Sequence, residues 1–160
     1  MATYQQGNYQ PKNVEKYIGK HIPKYRSGWE LQFMRMCDNH PAILQWASES
    51  HRIPYINPIT GKRSNYIPDF FVIYMDKEGK KHAELVEVKP SGQMVGEAKG
   101  QYDQAMAVIN EAKWRAARLF SKQMGIGFRV ITEREIFNRP PKSTRQKKPK
   151  ISKRKINKRS

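Results

Sequence analysis

Two acids sit inside stretches otherwise suited to a protein interior: Asp69 within the apolar run 67–74, and Glu87 between Val86 and Val88. A charged carboxylate is costly to bury in such a run unless it is paired or bound to a cation. Both runs are dense in β-branched and aromatic residues, and the turn sequence Asp76-Lys77-Glu78-Gly79-Lys80 lies between them. They are expected to form neighbouring strands of one hairpin. Side chains alternate along a strand with period two, so Lys89 falls on the same face as Glu87. Two carboxylates on adjacent strands are hard oxygen ligands suited to Mg²⁺ or Mn²⁺, with the ammonium beside the water such an ion carries. The plainer alternative, acids that are merely solvated or paired with nearby lysines, is the usual fate of strand-end carboxylates. The apolar setting of both acids and the position of Lys89 argue against it.

Charge indicates what such a site acts on. The chain has 31 Lys and Arg against 14 Asp and Glu, a formal net charge of +17. That points to a polyanion, and for this metal chemistry to a phosphodiester. Residues 139–160 contain 11 of the basic residues and no acid, which leaves 20 against 14, or about +6, on the rest. The basic stretch, including Lys147, Lys148, Lys153, Arg154 and Lys155, is expected to raise DNA affinity by counterion release. It should do so without sequence preference, because phosphate contacts carry no base information. A solubilising or targeting segment, or contact with an acidic protein surface, is the competing role.

Other classes are excluded by what is missing. No apolar run approaches a membrane span, and the polar N-terminus lacks a secretory signal. Cys37 is the single cysteine, so no intrachain disulfide forms, as suits a reducing compartment. His21, His40, His51 and His82 lack zinc-site spacing, and no small-molecule cofactor beyond the metal is expected. The expectation is a soluble intracellular protein.

Residues 1–24 are expected to form an extended arm, 25–138 the domain, and 139–160 a disordered basic tail. A helix is predicted to start with Ser27 as its N-cap and Glu30 at N3, a capping box. Trp29, Phe33, Met36 and Cys37 form its apolar face, and Asn39-His40-Pro41 ends it. A short second helix is predicted over 41–47. Strands are predicted over 51–56, 65–75 and 82–89. A long helix over 95–123 follows, with a core stripe of Tyr102, Ala105, Met106, Ile109, Ala112, Ala116, Leu119 and Phe120. Gly125 ends that helix, and a strand over 126–132 and a helical turn over 133–138 complete the domain. A strand, a crossover helix and a strand imply a parallel pair. The class is α/β, a mixed sheet flanked by helices in the order α-β-β-β-α-β.

Pro68-Asp69, a gap, and Glu87-Val88-Lys89 resemble the motif of the PD-(D/E)xK nucleases, and the element order resembles their common restriction-endonuclease-like core. A longer similarity runs from about residue 4 to 137. It rests on Tyr4-Gln5-Gln6-Gly7, Pro11-Lys12-Asn13, Tyr25 through Leu31, Trp46-Ala47-Ser48-Glu49, Ile53-Pro54-Tyr55, Pro58, Gly61 and Tyr66 through Val72. These residues resemble the head completion nucleases of T-even-type tailed phages; the basic tail has no match. The resemblance implies a Mg²⁺- or Mn²⁺-dependent DNA endonuclease acting in head completion and head–tail joining after packaging. It also implies head or neck proteins as partners, in the host cytoplasm or the virion. By the same resemblance Asp69 and Glu87 are metal ligands, the Val88 carbonyl is a third, and Lys89 orients or activates the attacking water. A glutamate on the first helix often completes the site in that superfamily, which offers Glu30 a catalytic role beside its capping role. Two alternatives stay open: a DNA-binding virion assembly protein whose nuclease fold is silent, and a resolvase or transposase-associated nuclease sharing the core.

The remaining candidates are weaker. Arg26, Lys62 and Arg63 are candidate phosphate contacts, with solvated loop charges as the alternative. Glu49 is expected to be a surface acid. Gln101 can supply an auxiliary polar group, and Tyr102 is expected in the core. Trp29 and Trp46 fit apolar patterns, whereas Trp114, between Lys113 and Arg115, is a candidate partner contact.

Overall fold

A computed structural model describes residues 6–90 and 100–134. The first five residues, 91–99 and the basic tail lie outside the described residues, as do the predicted start of the long helix and most of the last helical turn. The elements are β1 (Gly7–Asn8), β2 (Lys24–Tyr25), α1 (Gly28–Asn39), β3 (Ile43–Ser48), β4 (Ile53–Ile56), β5 (Arg63–Tyr66), β6 (Phe70–Met75), β7 (Lys81–Val88), α2 (Gln101–Met124) and β8 (Gly127–Ile131). Four strands make the central sheet in the order β3-β6-β7-β8. The pairs β3–β6 and β6–β7 are antiparallel, and β7–β8, joined through α2, is parallel. With α1 and α2 this is the expected α-β-β-β-α-β mixed sheet.

The two faces of the sheet carry separate cores. Phe70, Val72, Val86 and Val88 pack with Phe33, Met34 and Cys37 of α1 and with Trp46 of β3. Leu85 packs with Trp114 and Ala117 of α2 and with Ile53 and Tyr66. Period two along β7 therefore assigns Val86 and Val88 to the α1 face, and Leu85, Glu87 and Lys89 to the α2 face.

The arm is laid over the body. Asp38, fully buried in the last turn of α1, accepts from the Tyr9 hydroxyl at 2.6 Å and from the backbone N–H groups of Lys12 and Asn13 at 2.8 and 2.9 Å. Lys16 Nζ donates to the Asp38 carbonyl at 2.9 Å. Burial works against the Asp38 charge, but these donors outweigh it and hold its pKa below the ordinary carboxylate value.

Several expectations are corrected. Residues 43–48 form the edge strand β3 and not a short helix; Trp46, Ala47 and Ser48 are all buried, so the strand shows no alternation. The predicted strand over 65–75 is broken at Pro68, which has no N–H to give a ladder. Its first part, β5, pairs with β4 in a separate hairpin outside the central sheet. That hairpin turns through Asn57, whose side chain accepts from Ile59 N and Thr60 N, and closes at Gly61 with φ +68°. The core stripe of α2 is Ala107, Asn110, Trp114, Ala117 and Ser121, about a third of a turn around the helix from the predicted one. Of the predicted stripe, Ala116 and Phe120 pack against that core, whereas Tyr102 and Leu119 are exposed, at 77% and 60%, and Trp114 is buried rather than offered to a partner.

Candidate active site

The motif residues meet where the chain bends into β6 and where β7 ends. Glu87, at 6% exposure, accepts a 2.7 Å hydrogen bond on Oε2 from the Tyr66 hydroxyl. The backbone N–H of Asp69 also favours the charged form of Glu87. Asp69 accepts the Val88 N–H on Oδ2 at 2.8 Å. Asp69 is thus held by the backbone of the strand that carries Glu87. Lys89, two residues past Glu87, brings its Nζ to 3.7 Å from Glu87 Oε1, and its N–H is anchored to Ile131 O at 2.8 Å. Period two and the hairpin register suffice to explain this grouping of Asp69, Glu87 and Lys89.

Glu30 reaches the same region from α1. The Ser27 hydroxyl accepts from Glu30 N at 3.1 Å and donates to Glu30 Oε2 at 3.1 Å. This is the expected cap, and the Glu30 charge is also felt at Asp69. Burial raises the pKa of Glu30, against the Ser27 and Arg26 hydrogen bonds, and the Glu87 charge adds to the rise. Burial, then the charges of Glu87 and Glu30, push Asp69 well above the ordinary carboxylate value. Burial also raises Glu87, although Lys89, Tyr66, Asp69 and Lys113 all oppose it. Three carboxylates that repel one another in a low-dielectric site hold their protons tightly, and a bound cation relieves that repulsion.

The residues fit a divalent metal on donor chemistry. Asp69 and Glu87 are hard oxygen donors whose charge the protein leaves under-compensated. Among the described residues no three His, Cys, Asp or Glu side chains form a ready ligand group. Two carboxylates with a backbone carbonyl such as that of Val88 would make the sparse set that Mg²⁺ tolerates because it retains several waters.

The other candidates fall in different places. Arg26 Nε pairs with Glu49 Oε1 at 3.2 Å, and the Glu49 N–H donates to Asp69 O at 2.9 Å. Glu49, half-buried with φ +50°, is thus part of the scaffold behind Asp69 rather than a free surface acid. Lys62 and Arg63 lie exposed at the far end of the β4–β5 hairpin; among the described residues no side-chain bond ties them to the acids. Gln101 and Tyr102 are exposed at the start of α2. Lys147, Lys148, Lys153, Arg154 and Lys155 lie outside the described residues.

Two residues went unrecognised in the sequence. Tyr66, three positions before Asp69, was not singled out for its hydroxyl. Lys113, on α2, points at the site: its Nζ stands 5.9 Å from the ring centroids of both Tyr55 and Tyr66. Burial lowers its pKa, Lys89 adds to that, and Glu87 and Asp69 oppose it. The only sequence signal for Lys113 is its place beside Trp114, which becomes informative once the buried face of α2 is known.

The sequence is similar to known nucleases. The family model described as TnsA-like endonuclease N terminal matches residues 40–133. The matched span contains β3, β6, β7, α2 and β8, hence Asp69, Glu87, Lys89 and Lys113; it begins after α1 and so leaves out Glu30. A head completion nuclease of Enterobacteria phage T4 is 33% identical, with the match covering 79% of this chain and 90% of that protein.

Proposed function

We infer the activity from a shown membership: this chain belongs to the family of TnsA-like N-terminal endonuclease domains. The inferred reaction is metal-dependent hydrolysis of DNA phosphodiester bonds, carried out in completing phage heads, the task named in its T4 relative. Asp69 and Glu87 hold Mg²⁺ or Mn²⁺, with the Val88 carbonyl as a further ligand. When bound, the cation acidifies water and offsets the charge that develops on the phosphate.

The chain's own residues do the rest. The Tyr66 hydroxyl fixes the Glu87 carboxylate, and the Val88 N–H fixes Asp69. Lys89, 3.7 Å from Glu87, is placed to orient the attacking water and to donate to a non-bridging phosphoryl oxygen. The water gives up a proton as its oxygen bonds to phosphorus, the bond from phosphorus to one sugar oxygen breaks, and the departing oxygen takes up a proton. Glu30 adds a third negative charge that is felt at Asp69, as well as capping α1. The observation that carries this reading is the pair of buried acids, Asp69 held by the Val88 N–H and Glu87 by the Tyr66 hydroxyl, with Lys89 Nζ 3.7 Å from Glu87. Supercoiled plasmid incubated with Mg²⁺ or Mn²⁺ should be nicked or linearised by wild type and left intact by Glu87→Gln or in excess chelator. Cutting by Glu87→Gln at the wild-type rate refutes the assignment.

A further inference from the structure

Lys113 is a half-buried ammonium that no acid neutralises at contact distance among the described residues. Lys89, Arg26, Arg118 and Arg129 all have a carboxylate within ion-pair reach. Lys113 has two aromatic faces instead, Tyr55 and Tyr66, each at 5.9 Å. Ring faces hold a cation in place and leave its N–H donors free for another partner. The Tyr66 ring is itself fixed, because its hydroxyl is committed to Glu87 at 2.7 Å. Lys113 rises from α2 on the sheet face that carries Glu87 and Lys89, and its charge is felt at Glu87, Asp69 and Lys89.

Charge balance names the missing partner. With a divalent cation on Asp69 and Glu87, that cation and the two lysines outweigh the carboxylates of Glu30, Asp69 and Glu87 by one positive charge. One phosphodiester carries one negative charge, so a DNA phosphate neutralises the site.

We propose that Lys113 is a second substrate-binding cation of this site, held by the Tyr55–Tyr66 cage to grip a DNA backbone phosphate at or next to the one being cut. The proposal rests on the nuclease reading above. It also gives the β4–β5 hairpin a task, since that hairpin supplies both walls of the cage.

The test compares wild type, Lys113→Met and Lys113→Arg as full chains on one short duplex. Affinity is titrated against salt at a fixed concentration of Ca²⁺, a hard cation for the same carboxylates, with only uncut duplex scored, and cleavage is then followed with Mn²⁺. A phosphate contact contributes about 0.9 to the slope of log affinity against log salt. Lys113→Met should therefore lose about one unit of slope and cut at least tenfold more slowly, while Lys113→Arg keeps the slope. A purely packing role would lower the melting temperature and leave the slope unchanged. Wild-type slope and wild-type cleavage in Lys113→Met overturn the proposal. If Lys113→Met does not fold, Lys113→Gln, which keeps much of the stem, is read the same way. If wild type itself never cuts with any metal while the slope still drops, the nuclease reading fails and the phosphate contact stands.

Discussion

Replacing Tyr66 by Phe removes one oxygen from the site and little else. The Tyr66 ring is 4% exposed and packs with Trp114, Leu85 and Ile53, so the substitution keeps the packing. What goes is the 2.7 Å hydrogen bond to Glu87 Oε2. A hydrogen bond to a charged group contributes about 1.5–3 kcal/mol, and about 1.4 kcal/mol corresponds to a factor of ten in binding. Groups that orient a metal ligand from behind change metal affinity by about 10- to 100-fold when removed, so the two routes agree. The bond favours the charged form of Glu87, which opposes the rise caused by burial. Without it the proton competes harder with the metal, and the loss of affinity should grow as the pH falls. Calorimetric titration with Mn²⁺ at pH 8 and pH 6.5 measures both effects. Tyr66→Phe should bind about 10- to 100-fold more weakly, with the larger deficit at pH 6.5. Affinity within twofold of wild type at both pH values would refute the idea that the hydroxyl prepares Glu87 for a cation.

Three other consequences are open to measurement. Glu30, Asp69 and Glu87 bind protons more tightly folded than unfolded; from about pH 4 up to their raised values the folded state holds more protons, so metal-free stability falls as pH rises through that window. The melting temperature without metal should drop from pH 5 to pH 8, less so in Asp69→Asn, and Mn²⁺ should restore it at pH 8; an identical pH profile for the two proteins would contradict this. Asp38 has the opposite sign, because its lowered pKa gives stability that is lost on acidification, and Asp38→Asn should cost about 3 kcal/mol in urea unfolding at pH 7, against an expected loss under 1 kcal/mol if the arm is not anchored there. Deleting residues 139–160, with their 11 basic side chains, should weaken DNA binding and flatten its salt dependence while the melting temperature holds; an unchanged slope contradicts a role for the tail in binding.

The parts of the fold that local chemistry determines were legible in the sequence. The Ser27 cap, the turns closed by Gly61, Gly79 and Gly125, and the β7–α2–β8 crossover follow from short-range rules and occur as expected. The errors arose where tertiary contacts override local preference. The stretch before Trp46 is rich in good helix formers, but Trp46, Ala47 and Ser48 are all buried at the strand's end, so neither period shows. The face of α2 was misplaced because its buried stripe includes the polar residues Asn110 and Ser121, which hydropathy assigns to solvent. That same error hid Lys113, since its approach to Glu87 depends on how α2 is turned. Asp69, Glu87 and Lys89 were legible because they share one hairpin, in which spacing fixes register and register fixes proximity.

The most direct test of a metal-dependent nuclease centred on Asp69, Glu87 and Lys89 is one plasmid series with wild type, Asp69→Ala and Lys89→Ala. Each protein is assayed with Mg²⁺, Mn²⁺ and EDTA, and DNA binding is measured in parallel. Wild type should cut with metal only, neither variant should cut, and all three proteins should retain DNA. Metal-dependent cutting at the wild-type rate by Asp69→Ala or Lys89→Ala would contradict this.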